Sequence, residues 1–218
     1  KSHSYNLKVA FPNIDEHGDR PVKMSPVHDR LAAQGARFIA RNGWECPDVF
    51  VPLGEPGERG SFGKPDWTAH VAAEYRSVTS GAGVLDLTSM PSFELSGPGA
   101  AGFVQSVLAG RVSPGQGNVS FATLLTRRGG IRCLFAVSQI AADRFRLTAP
   151  AVAEVHHFDC LERLLPRDAS VRLTNLTGRN GIFLLCGPRA GAILRAATDG
   201  QIDCDHCPPL TAHFAKVR

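Results

Sequence analysis

The chain has 218 residues, 43% hydrophobic and 20% charged, an ordinary globular composition that excludes wholesale disorder. At this length it is one large domain or a domain with an appendage, able to bury about 70% of its unfolded surface without a disulfide or metal staple. The net charge of +4 comes from scattered basic residues, so no nucleic-acid partner is expected. The longest apolar runs, residues 133–137 and 182–186, fall far short of the roughly 18–20 residues that span a bilayer, so no membrane partner is expected either.

Taken in chain order, residues 5–11 alternate polar and apolar side chains, as a half-buried strand does, and Pro12 closes the run. Ser25 and Pro26 read as N-cap and first helical position of a short helix that Gly35 stops. Residues 36–40 alternate again. From 53 to 65 the composition turns to glycine, proline and charge, marking a boundary between an appendage (1–62) and a main domain (63–218). Asp66 then caps a helix whose Val71, Tyr75 and Val78 share one face.

The remainder alternates strands (84–87, 92–95, 120–125, 131–137, 144–147, 171–173, 182–185) with helices (99–108, 151–165, 189–197). In the middle helix Val155, Phe158, Leu161 and Leu165 form the apolar stripe, and Pro166 ends it. Phe93-Glu94-Leu95-Ser96-Gly97-Pro98 recurs in pattern as Phe183-Leu184-Leu185-Cys186-Gly187-Pro188, each a strand, a glycine exit and a proline opening a helix. The pattern predicts an α+β fold: an antiparallel or mixed sheet with helices on one face.

Six cysteines (Cys46, Cys133, Cys160, Cys186, Cys204, Cys207) in a chain this large read as a reducing compartment, cytoplasm or mitochondrial matrix. The chain opens on Lys1 without a methionine or a leader, as an internal piece or processed product would. Cys204-Asp205-His206-Cys207 has CxxC spacing, but no second pair completes four ligands and Pro208-Pro209 follow, so it reads as two loop cysteines. His156 and His157 point about 100° apart on a helix and cannot grip one metal together. Asp203, Asp205, His206 and His213 are a carboxylate–imidazole cluster only if the chain folds back across two prolines. Arg127, Arg128 and Arg132 flank Gly129-Gly130 at a hairpin tip, either to hold an anion or to guard a solvated edge.

Several ordered motifs resemble one family. Residues 25–31 (Ser-Pro-Val-His-Asp-Arg-Leu), 35–38 (Gly-Ala-Arg-Phe) and 42–47 (Asn-Gly-Trp-Glu-Cys-Pro) are similar to the connector after the flavin domain of dimethylglycine and sarcosine dehydrogenases. Residues 74–78, 83–90, 94–98 and Gly129-Gly130-Ile131 resemble the first half of the folate-binding domain those enzymes share with the glycine-cleavage aminomethyltransferase.

That resemblance implies the folate-side segment of a flavin-dependent N-methylamine demethylase. The chain is then part of an oxidoreductase of one-carbon metabolism, with FAD held only by a missing upstream domain. Its expected partners are a flavin domain or subunit, the missing C-terminal half of the folate domain, and further copies of itself. Tetrahydrofolate is expected to bind weakly, against Met90, Phe121 and Val137. One departure is sharp: where the family carries an aspartate after the double glycine, this chain has Leu134, which neither accepts a proton nor pairs with an amine. No catalytic residue is therefore assigned, and one-carbon transfer is expected to be impaired. The alternative is a non-catalytic scaffold or assembly module that keeps the fold. Phe38 and Trp44 of the appendage are expected to be covered by the main domain.

Overall fold

The computed structural model describes residues 20–52, 54 and 67–217. The expected strand at 5–11, the Asp66 cap and most of the glycine- and proline-rich stretch lie outside the described residues. The chain divides into two compact units, Lys1–Leu87 with Phe183–Pro188, and Thr88–Ile182 with Arg189–Arg218.

In the first unit, helix α1 (His28–Ala33) starts two residues later than expected. Ser25 and Pro26 form a turn instead, in which the His28 N–H donates to the Ser25 carbonyl at 3.1 Å. Strand β1 (Ala36–Arg41) pairs antiparallel with β2 (Trp44–Phe50) across Asn42 and Gly43, both at positive φ, as a two-residue hairpin requires. Trp44 is 3% exposed, and the Lys23 ammonium lies 5.6 Å from its ring centroid. Phe38 stacks on His28 with centroids 4.1 Å apart. Glu45 is 5% exposed and tied to Arg20, whose Nε donates to Oε1 at 3.0 Å, while the Val22 N–H donates to the same oxygen at 3.0 Å. These bonds hold its carboxyl below the usual range.

Helix α2 (Thr68–Ser80) carries the expected Val71, Tyr75 and Val78, but none of its residues is buried and Tyr75 is 70% exposed. Strands β3 (Gly83–Asp86) and β10 (Phe183–Cys186) form a second antiparallel pair. An apolar cavity of about 960 Å³ lies within this unit, walled by Pro47, Phe50, Val71, Val78, Leu85 and Leu184.

The second unit is built on a six-stranded antiparallel sheet. Its strands are β4 (Ser92–Ser96), β5 (Leu108–Ala109), β6 (Val119–Leu125), β7 (Ile131–Ala141), β8 (Arg144–Thr148) and β9 (Arg172–Asn175), in the order β5-β6-β7-β8-β4-β9. Alternation sorts the side chains: Cys133, Phe135 and Val137 on β7, Phe93 and Leu95 on β4, and Phe145 and Leu147 on β8 are all buried. Helices α3 (Ala100–Val107) and α4 (Glu154–Glu162) cover that face with Phe103, Val104, Cys160 and Leu161, forming one core. Helix α5 (Ala190–Ala197) follows β10.

Two expectations need correcting. Val155 is 81% exposed and stands outside the inward stripe of α4, which is His157, Cys160 and Leu161, with Phe158 and Leu165 half-buried beside the core. A 3-10 turn at Ala151–Ala153 precedes α4, and the helix proper begins only at Glu154. Likewise Pro98 and Pro188 do not open helices; each sits one residue before the N-cap, Gly99 or Arg189. The repeated glycine exit itself holds. Gly97 (φ +117) and Gly187 (φ +105) are left-handed, and a Cβ on either would lie 2.5 Å from a carbonyl oxygen, Ser170's or Val78's.

Candidate functional site on the open face of the sheet

The face of the six-stranded sheet opposite α3 and α4 carries two of the predicted site residues, Phe121 and Leu134. Phe121 on β6 stands opposite Ala136, and Thr123 opposite Leu134, so Phe121 and Leu134 are diagonal neighbours on one face. Both protrude: Phe121 is 62% exposed and Leu134 46%. Along the same face, Ser138 pairs with Arg146, and Arg146 with Glu94 on β4. Arg146 Nη2 lies 3.5 Å from Glu94 Oε2, while its buried Nε has no hydrogen-bond partner. Met90 is half-buried in the turn that leads into β4.

Val137 does not join them. It is fully buried on the helix-covered face, beside Phe135 and Leu147, because its odd position on β7 points the other way from Leu134. The Glu94–Arg146 pair, by contrast, was not singled out from the sequence. A charge midway in an alternating strand, as in Phe93-Glu94-Leu95 and Phe145-Arg146-Leu147, was the available signal.

This surface can stack a flat heteroaromatic ring on Phe121 and bring the partly exposed Arg146 side chain within reach of an acceptor. At Leu134 this face offers neither a charge nor a proton-transfer group. These residues fit a flat ring held by stacking and a hydrogen bond, with no acid–base group at the leucine.

Other clusters are now placed. Asp203 accepts bonds from Arg195 and from His206 Nδ1 (2.8 Å), which drop its carboxyl to about 2, the arginine contributing most. Asp205 joins through Arg195 at 3.1 Å, whereas His213 instead pairs with Thr211 Oγ1 at 3.0 Å. Asp203 and Asp205 thus form a solvated ion cluster with Arg195 rather than a catalytic one. Cys204 is exposed, Cys207 half-buried, and neither is bonded to another cysteine. The Arg127–Arg128 hairpin tip is closed by Thr126, whose N–H donates to the Gly130 carbonyl at 2.8 Å. With Arg132, Arg163 and Cys160, the two arginines line a cavity of about 560 Å³.

Against known proteins, residues 27–218 match the family model described as the GCVT N-terminal domain. Over 212 residues the chain is 29% identical to the mouse mitochondrial pyruvate dehydrogenase phosphatase regulatory subunit, covering 94% of this chain and 24% of that protein. Over 208 residues it is 26% identical to mouse mitochondrial dimethylglycine dehydrogenase, again covering 94% of this chain and 24% of the relative. The chain thus spans about a quarter of the length of these relatives. A glycine cleavage system aminomethyltransferase T from Bartonella henselae superposes with a TM-score of 0.69 at 24% identity, over 88% of this chain and 47% of that one, and shows the shared fold. Among the described residues no helix is long and apolar enough to cross a membrane.

Proposed function

Because the chain belongs to the GCVT N-terminal domain family, we propose that it is the folate-side segment of a flavin-dependent N-methylamine demethylase whose one-carbon transfer step is impaired at Leu134. The observation that carries the reading is the exposed Phe121–Leu134 surface, which keeps a ring for stacking and offers a leucine where the family resemblance puts a carboxylate. Tetrahydrofolate is the ligand of that face, held by Phe121 and Arg146, with Met90 at its edge. The flavin and the amine belong to a partner domain or subunit, and the mitochondrial names of two relatives support the matrix as its place.

A second reading has its own support. The relative at 29% identity is named a regulatory subunit, and a leucine in place of an acid is what a domain kept as scaffold tolerates. The two readings part on one experiment. Leu134 is 46% exposed, so an aspartate there stays hydrated and need not cost the fold more than about 1 kcal/mol. A positioned acid or base contributes about 10²–10⁴-fold to rate. In the full-length native protein, Leu134→Asp is expected to raise methylene-tetrahydrofolate formation from an N-methylamine by roughly that factor over a slow wild type. A wild type whose methylene-tetrahydrofolate output already matches its amine oxidation overturns the impairment. Absence of amine oxidation and of tetrahydrofolate binding in both proteins favours the scaffold.

A further inference from the structure

On the opposite, helix-covered face lies a cluster that this function does not use. Cys133 points from β7 toward α4, where His156 and Cys160 stand four residues apart on one side of the helix. The ligand atoms of the three residues all lie within 4.8 Å of one another. Cys160 Sγ is 3.6 Å from His156 Nε2. In a tetrahedral zinc site, with Zn–S about 2.3 Å and Zn–N about 2.0–2.1 Å, a sulfur and a nitrogen ligand are about 3.6 Å apart. Two sulfurs there are about 3.8 Å apart, so a small approach by Cys133 closes the triangle.

We propose that Cys133, His156 and Cys160 form a Cys₂His site for a soft divalent cation of the zinc class. The environment is suited to it. Both cysteines are buried, at 2% and 6% exposure, while His156 is exposed and gives the ion its way in. His157, the neighbour on the helix, turns to Phe135, with ring centroids 5.6 Å apart, and leaves the metal to His156 alone. Three protein ligands leave one position open, and Cys160 borders the cavity lined by Arg127, Arg128, Arg132 and Arg163. Arg132 Nη1 is 3.9 Å from Cys160 Sγ. Binding releases one proton from each thiol, so two thiolates cancel the charge of the dication and the guanidinium meets a neutral centre. Water or a small anion drawn by the arginines completes the tetrahedron.

Cobalt(II) is the probe, because thiolate-to-cobalt charge transfer and intense tetrahedral d–d bands report the ligand set directly. The full chain, stripped with chelator and held in a thiol-free reductant, is titrated with cobalt and then with zinc. The expected result is one equivalent of tetrahedral thiolate-bound cobalt, displaced by zinc. Replacing an outer partner of a metal site typically lowers affinity about 10–100-fold, so losing a ligand should lower it at least that much. Cys133→Ser and Cys160→Ser should each do so, and so should His156→Gln, which changes an exposed side chain and keeps the fold even if a buried cysteine variant does not. Cys204→Ser with Cys207→Ser should bind as the wild type does. Absence of thiolate–cobalt bands, loss of them with the Cys204/Cys207 pair, or an unchanged affinity in His156→Gln each overturns the site.

Discussion

The two faces of the six-stranded sheet share every strand and every backbone bond, yet they differ in chemistry. One is closed by α3 and α4 and holds Phe93, Leu95, Phe135, Val137 and Leu147 at 0% exposure. The other leaves Phe121, Leu134 and the Arg146–Glu94 pair in reach of solvent. A strand must place alternate residues on opposite faces, so one sequence packs one face into the core and leaves the other open to solvent. The lesson is that a substitution one residue along β7 changes which of the two is tested.

The largest effect should come from the covered face. Phe135→Ala is expected to cost about 3–5 kcal/mol, against less than about 1 kcal/mol for Phe121→Ala, compared by denaturant midpoints. Equal losses would break the distinction between the faces. Ligand affinity should reverse the order: Phe121→Ala weakens tetrahydrofolate binding in titration calorimetry, and Phe135→Ala, wherever it remains folded, does not.

A smaller test carries the same contrast to two carboxylates, one covered and one open. Glu45 is buried in its arginine bond, whereas Asp203 is held by Arg195 at the surface. The Glu45 carboxyl has a folded pKa below its unfolded value, so the pair's stabilisation is present above about pH 4.5 and lost as pH falls from there toward the folded pKa. Glu45→Gln should cost about 1–3 kcal/mol at neutral pH, and its stability should fall less than the wild type's on acidification. Asp203→Asn should leave the neutral midpoint where it was, since a solvated pair adds little. A large loss there would show that exposure is a poor guide in this protein.

The seven strands expected between residues 84 and 185 all form, because their alternation or apolar runs are strong; five of them lie in the six-stranded sheet with its covered face, while β3 and β10 pair without a buried residue. Strand β2 was not legible, since Pro47 argues against a strand. A register shift between Arg37 and Phe38 accommodates it in a two-stranded pair, where one edge of each strand needs no donor. On α4 an apolar count favoured Val155, yet burial selected His157 and Cys160, residues that such a count overlooks. The Cys133–His156–Cys160 cluster was out of reach for a related reason: a strand and a helix distant in sequence supply it, so no spacing motif announces it. Leu134 was legible as a departure only through the resemblance; its exposure beside Phe121 is information that only the register supplies.

The paired glycine exits have a consequence for anyone who randomises this gene. Gly97 and Gly187 have both left-handed backbones and carbonyl oxygens where a methyl would sit, whereas Gly129 is left-handed with nothing within 4 Å. In a saturation library selected for folded protein, the first two codons should return glycine almost alone. The third should also admit asparagine and aspartate, the side chains that tolerate that backbone. The hairpin tip at Gly129 is thus a natural place to graft a short epitope or a fluorophore, and the two exits are places to leave untouched.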